Sequence, residues 1–101
     1  MNRDKIVITG IGAVAPNGNN VIEFWESLKQ GISGISPITY FNTDDHKVKI
    51  AGELKGFSAD QIIDSKELRK LDPFSIYALA ASTEAISMSG IDLDNVNLDR
   101  A

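Results

Sequence analysis

The first apolar stretch of the chain, Ile6-Val7-Ile8-Thr9, is β-branched and runs on into Gly10-Ile11-Gly12-Ala13-Val14-Ala15. A strand with one wet face alternates apolar and polar residues. This run is apolar on both faces, the pattern of a strand buried inside a parallel sheet. Pro16-Asn17-Gly18-Asn19 then breaks it with strong turn chemistry. A helix is predicted next: Asn20 is a good N-cap, and Glu23 sits at the capping-box spacing. Val21, Trp25 and Leu28 recur at helical intervals, Ile22 and Phe24 widen the apolar face, and Gly31 supplies the stop. The stretch from Gly31 to Pro37 is expected to be loop.

Lys47 to Leu54 alternates cleanly, with Val48, Ile50 and Leu54 on one face, and predicts a strand. Two short helical turns are expected after it, opened by Ser58 and Ser65 as caps. The strongest element is the last helix, with Asp72 as cap, Pro73 in the first position and Gly90 at the end. Along it Phe74, Ala78, Ala81, Ala85 and Met88 form a stripe whose alanines let another backbone come close. Ile91 is placed to pack back across the Gly90 stop. The tail from Asp92 to Arg100 is polar with interleaved apolar residues, and neither repeats nor low-complexity segments occur.

Composition narrows the reading. A chain of 101 residues is enough for one small domain, and 43% hydrophobic with 24% charged residues is the balance of a folded rather than a disordered protein. No apolar run approaches the roughly 20 residues that span a bilayer. The short apolar run after Met1-Asn2-Arg3-Asp4-Lys5 does not resemble a signal peptide, so the cytoplasm is the expected compartment. Cysteine is absent, which excludes a disulfide framework, a thiolate metal site and a cysteine nucleophile within this chain. His46 is the single histidine, which rules out a histidine pair. A net charge of −4 argues against nonspecific nucleic-acid binding. The acidity is concentrated after residue 70, where Arg100 faces five carboxylates.

Several motifs invite chemistry. Gly10-x-Gly12-x-x-Ala15 has the spacing of a dinucleotide fingerprint, but that motif needs a helix to begin at once against the pyrophosphate. Pro16-Asn17-Gly18 interrupts such a helix, and the acidic residue expected about 20 residues on is missing. The glycines read as a sharp strand exit. His46 beside Asp44 and Asp45 reads as a solvated loop, since one loop without a second cluster makes a poor metal site. Ser33 and Ser75 have no histidine–carboxylate relay to activate them. Lys66, Arg69 and Lys70 form the one compact basic cluster, on one face if the segment is helical. Taken alone, it reads as a solvated helix face paired locally with Asp64, Glu67 and Asp72.

Read end to end, the order and spacing add something the pieces lack. Ile6-Val7-Ile8-Thr9-Gly10-Ile11-Gly12, Pro16-x-Gly18-Asn19 and Phe24-Trp25-x-x-Leu28-x-x-Gly31-x-Ser33-Gly34-Ile35 resemble the opening of beta-ketoacyl-acyl-carrier-protein synthases. Phe41-Asn42-Thr43, Ala51-Gly52-Glu53-Leu54, Ser65-Lys66-Glu67-Leu68-Arg69-Lys70-Leu71-Asp72 and Tyr77-Ala78-Leu79-Ala80-Ala81 continue the likeness over essentially the whole chain. The form resembled most is the chain-elongating, type II one. The resemblance implies a thiolase-like layered α/β fold, of which residues 1–101 would be an incomplete N-terminal part with no complete second domain. It implies a homodimeric enzyme of fatty acid biosynthesis, needing no cofactor, that condenses a cysteine-bound acyl group with malonyl-carrier protein and releases carbon dioxide. In the family, the cysteine and its two assisting histidines lie far downstream, so this chain is expected to hold no catalytic residue. By position, Lys66, Arg69 and Lys70 align with the family's basic patch for acyl carrier protein, which makes docking the preferred reading of that cluster. Two alternatives accompany it: a noncatalytic carrier-protein-binding module, and a piece of a polyketide-type ketosynthase subunit. The coding sequence following Ala101 separates an enzyme segment from a free-standing module.

Overall fold

In the computed structural model, which describes residues 3–101, five elements follow one another. They are α1 (Val21–Gln30), β1 (Ile35–Pro37), β2 (Ile50–Gly52), α2 (Ser65–Leu68) and α3 (Pro73–Ser89). Helix α1 has the predicted ends. The Asn20 side-chain oxygen accepts the Glu23 N–H at 2.9 Å, and the Glu23 carboxylate turns back to the Asn19 N–H at 3.3 Å and the Asn20 amide at 3.0 Å. The capping box is thus reciprocal, with its backbone return one residue earlier than expected. Gly31 ends the helix at φ 70°, a left-handed conformation that glycine adopts without a Cβ clash.

Helix α3 begins and ends where the sequence places it, although Asp72 makes no side-chain cap bond. Its small residues do receive a backbone. A Cβ on Gly10 would collide with the Ala85 carbonyl oxygen, and one on Gly12 with the Ala81 carbonyl oxygen. These two glycines therefore let the N-terminal segment lie directly on the helix, a packing role in place of a phosphate-binding one. The Ile11 N–H also meets the Met88 sulfur at 3.5 Å. The first half of the stripe is uncovered: Ala78 is exposed, and Phe74 is 73% exposed.

The other expectations need correction. Ile6-Val7-Ile8-Thr9 forms no strand, and Ile6, Val7 and Ile8 are 98%, 68% and 86% exposed. A strand is defined by its ladder, and among the described residues the sheet consists of β1 and β2 alone. Those two pair antiparallel, with Ile35 opposite Gly52 and Pro37 opposite Ile50. Part of the predicted Gly31–Pro37 loop is therefore strand. The predicted strand from Lys47 to Leu54 shrinks to three residues, and its Val48 and Ile50 face solvent. Ser58 opens a turn rather than a helix: its hydroxyl accepts the Asp60 N–H at 3.4 Å, and the Ile63 N–H returns to the Ala59 carbonyl at 3.0 Å. Ser65 is the first residue of α2, and Asp64 takes the flanking position.

Little apolar surface is enclosed. Among the described residues the buried apolar side chains are Ala59 and Ala80. The radius of gyration is 17.7 Å, against about 13 Å for a compact domain of this length. Burial of apolar area is the main term opposing chain entropy, so the segment lacks the core a cooperative fold requires. Expressed by itself, residues 1–101 should show no cooperative thermal transition and should self-associate through the exposed apolar segments. Calorimetry and sedimentation test this; a sharp transition in a monomer would contradict it.

Candidate functional site

Three charged side chains tie distant segments of the chain together. Glu84 is the one charged residue in α3. Its carboxylate accepts the Ala13 N–H at 3.0 Å and the Val21 N–H at 3.1 Å, tying the N-terminal segment and the start of α1 to α3. Val21 opens α1, where free N–H groups and the helix dipole favour an anion. Glu53 is buried just after β2, and its carboxylate accepts the Thr39 N–H and hydroxyl, both at 3.0 Å, and the Tyr40 N–H at 3.1 Å. Lys55 gathers carbonyls instead, donating to Gly34 at 2.9 Å, Glu53 at 3.0 Å and Pro16 at 3.4 Å. None of the three stood out in the sequence as functional. A lone charge in an otherwise uncharged 17-residue helix was the signal available for Glu84.

From Lys55 the chain runs to Phe57, whose ring meets Tyr77 of α3 edge-on at 5.5 Å. Beyond the turn after Ala59 comes α2. The helical path continues past its last residue, since Arg69 is right-handed helical and its N–H returns to the Ser65 carbonyl at 3.4 Å. Successive helical residues are about 100° apart, so Lys66, Arg69 and Lys70 share one face and Leu68 points away from it. Leu68 instead lines a groove of about 440 Å³ with Phe57, Pro73, Ile76 and Tyr77. A half-buried leucine facing the groove and three exposed cations facing away from it follow from the same turn.

The structure thus brings the three predicted site residues together. Of the expected local pairs it contains one, Lys70 to Glu67 at 3.7 Å, with side chains 72% and 60% exposed. Such a pair contributes about 0–1 kcal/mol. Lys66 and Arg69 are in no ion pair among the described residues. The other candidates remain apart. His46 is exposed with its ring edge-on to Phe41 at 5.3 Å, and the Ser33 hydroxyl accepts the Ile35 N–H at 3.1 Å.

The partial α/β arrangement is that of a thiolase-like fold. The family profile described as the beta-ketoacyl synthase N-terminal domain matches residues 3–101, and the chain belongs to that family. It is 42% identical over 96 residues to a 3-oxoacyl-[acyl-carrier-protein] synthase 2 of Staphylococcus aureus, covering 95% of this chain and 23% of that protein. The corresponding synthase 2 of a Synechocystis species is 36% identical over 99 residues, covering 98% and 24%. Among solved structures, the ishigamide ketosynthase/chain length factor superposes with a TM-score of 0.79 at 31% identity, over 90% of this chain and 23% of that one. The chain spans about a quarter of the length of the curated relatives it matches. Among the described residues, no helix is long and apolar enough to cross a membrane.

Glu53 makes the frame pH-dependent in a defined direction. Burial alone would push its carboxyl up, but the donors from Thr39 and Tyr40, with Lys55 nearby, outweigh it and hold the group below the ordinary glutamate range. A depressed carboxyl stabilises the fold fully above its unfolded value, about 4.3, and loses that contribution as pH falls through its lower folded value. In a folded polypeptide carrying this segment, Glu53→Gln should lower thermal stability most near neutrality. The gap to the parent should narrow as the pH drops below about 4. A gap that is constant with pH would show that the charge is not what holds Thr39 and Tyr40.

Proposed function

We propose that this chain supplies the N-terminal part of a 3-oxoacyl-[acyl-carrier-protein] synthase of fatty acid synthesis, and that its share of the work is scaffold and carrier-protein docking. The observation that carries the docking reading is the exposed face of Lys66, Arg69 and Lys70, on which two cations have no ion pair among the described residues. Relatives named for the acyl carrier protein supply the partner class. Carrier proteins of this kind are acidic, so the cations offer matched charge. As in the family, the working unit would be a homodimer.

The reaction assigned to the whole enzyme is a decarboxylative condensation. An acyl group held as a thioester is attacked by the carbanion left when the malonyl unit loses carbon dioxide. That chemistry needs a thiolate nucleophile and two donors on the thioester oxygen. This chain contains no cysteine, and its one histidine is exposed beside Phe41. The nucleophile and its partners belong to residues outside this segment. A second reading, a subunit of a polyketide-type ketosynthase, draws on the ishigamide ketosynthase/chain length factor neighbour. The higher identity to the 3-oxoacyl synthases, 42% against 31%, favours the first.

Residues 1–101 alone should give no ketoacyl product from acyl and malonyl carrier-protein thioesters. Product above the blank rate would mean that a nucleophile other than cysteine is at work.

Docking is tested by charge reversal, Arg69→Glu with Lys70→Glu, in a complete synthase carrying this segment. Exposed pairs contribute only about 0.2–1 kcal/mol each, so one neutral substitution is a weak probe. Reversal turns attraction into repulsion. Charges at a docking rim act mainly on association and are screened by salt, with a Debye length of about 8 Å at physiological ionic strength. Carrier-protein binding should weaken at low salt, with the gap closing as salt rises. Unchanged affinity at both salts would return the cluster to a solvated helix face.

A further inference from the structure

Pro16-Asn17-Gly18-Asn19 is the strongest turn signal in the chain, and it contains the only Asn-Gly pair. Asparagine followed by glycine is the dipeptide most prone to deamidation, because glycine leaves the attacking nitrogen unhindered. The Gly18 nitrogen bonds to the Asn17 side-chain carbonyl carbon, and ammonia leaves with the amide nitrogen. Water then opens the cyclic imide at either carbonyl, leaving aspartate or isoaspartate at position 17.

We infer that Asn17 is a modification site held shut by the fold, deamidating only in molecules whose Pro16-Asn17 turn has opened. Four observations carry this. The attacking nitrogen is already engaged: the Gly18 N–H donates to the Ala15 carbonyl at 3.1 Å, and the Ala15 N–H donates to the Gly18 carbonyl at 2.8 Å. Neither Pro16 nor Asn17 has a positive φ, so this bonded pair closes a type I turn of fixed shape. Gly18 is buried with its Cα packed on the backbone of Phe24, where even a Cβ would not fit, so its peptide plane cannot swing toward the side chain. The amide itself is held, Nδ2 donating to the Ile32 carbonyl at 3.1 Å, while the Ser27 hydroxyl donates to the Asn17 carbonyl at 2.5 Å.

The modification would reach far from one residue. Isoaspartate adds a backbone methylene to a two-residue turn, so both Ala15–Gly18 bonds cannot re-form as they are. The new carboxylate would set an acceptor against the Ile32 carbonyl, where an amide donated before. Pro16 packs where a Cβ on Gly34 or Gly52 would lie, within 2.6 and 2.8 Å of its ring carbons, and its carbonyl receives Lys55. A turn that cannot close therefore releases β1, β2 and the Lys55 staple together. An opened molecule is recorded and kept from refolding.

The test is peptide mass spectrometry for isoaspartate and aspartate at position 17, on the full natural polypeptide that contains residues 1–101. Folded and urea-unfolded samples are incubated at the same pH and temperature. Because the reaction needs local opening, the folded rate should be at least about tenfold lower. Ser27→Ala removes one restraint and should raise the folded rate severalfold while leaving the unfolded rate unchanged. Folded and unfolded rates within about twofold of each other would overturn the inference, with no variant needed. A Ser27→Ala protein that is folded by circular dichroism and deamidates at the parental rate would remove Ser27 from the lock.

Discussion

The Glu84 carboxylate accepts hydrogen bonds from Ala13 and from Val21, two residues of different segments, and so sets the distance from α3 to the N-terminal segment and to the start of α1. Glycine permits the contact and the carboxylate registers it. Gly10 and Gly12 bring the N-terminal backbone onto the Ala81 and Ala85 carbonyls, and Ala13 then falls at hydrogen-bond distance from Glu84. Neither feature would suffice alone. Without the glycines the segment could not approach the helix. Without the carboxylate, two part-buried N–H groups would lose their acceptor, and hydrogen bonds to charged groups are worth about 1.5–3 kcal/mol.

The same device recurs through the irregular half of the chain. Between α1 and α2 the regular structure amounts to two three-residue strands, yet backbone groups there still require partners. Glu53 supplies acceptors for Thr39 and Tyr40, and Lys55 supplies donors for Pro16, Gly34 and Glu53. Asn19 adds a donor to the Lys55 carbonyl at 2.9 Å, which ties the cap region of α1 to the irregular stretch just after β2. Charged and amide side chains here do for loops what ladders do for strands. Their geometry delivers the chain from β2 to Phe57 and on to the basic turn.

What could be read from the sequence was what local chemistry decides. Asn20, Glu23 and Gly31 bound α1, and Pro73 and Gly90 bound α3, because caps and stops act over a few residues. The shared face of Lys66, Arg69 and Lys70 was legible for the same reason, since it needs only one turn of helix. Pairing was not legible. Ile6 to Thr9 has every residue preference of a strand, but a strand requires a neighbour, and residues 3–101 offer it none. β1 carries Pro37 and follows Gly34, so its composition argued for a loop; its partner 15 residues on was decisive. Glu53 and Glu84 were invisible for a related reason, since their partners lie 14 and 71 residues away.

The two kinds of surface on this segment are physically distinct, and that separates their roles. Helix α3 has apolar residues around its whole circumference, a pattern that belongs to a helix covered on more than one side. Its exposed Phe74, together with Ile6, Val7 and Ile8, presents apolar area of the sort that marks packing or interaction surfaces. The α2 turn is organised the other way. Leu68 faces the groove that Phe57 and Tyr77 also line, and the outer face of α2 is charged and solvated. Covering the apolar faces would strengthen the fold without touching the outer face of α2, because Leu68 and the groove lie on the opposite side of that turn from the three cations. The outer face of α2 can remain fully hydrated while the rest of the segment is buried, and the proposed docking by attraction at a distance rather than by tight packing needs only that.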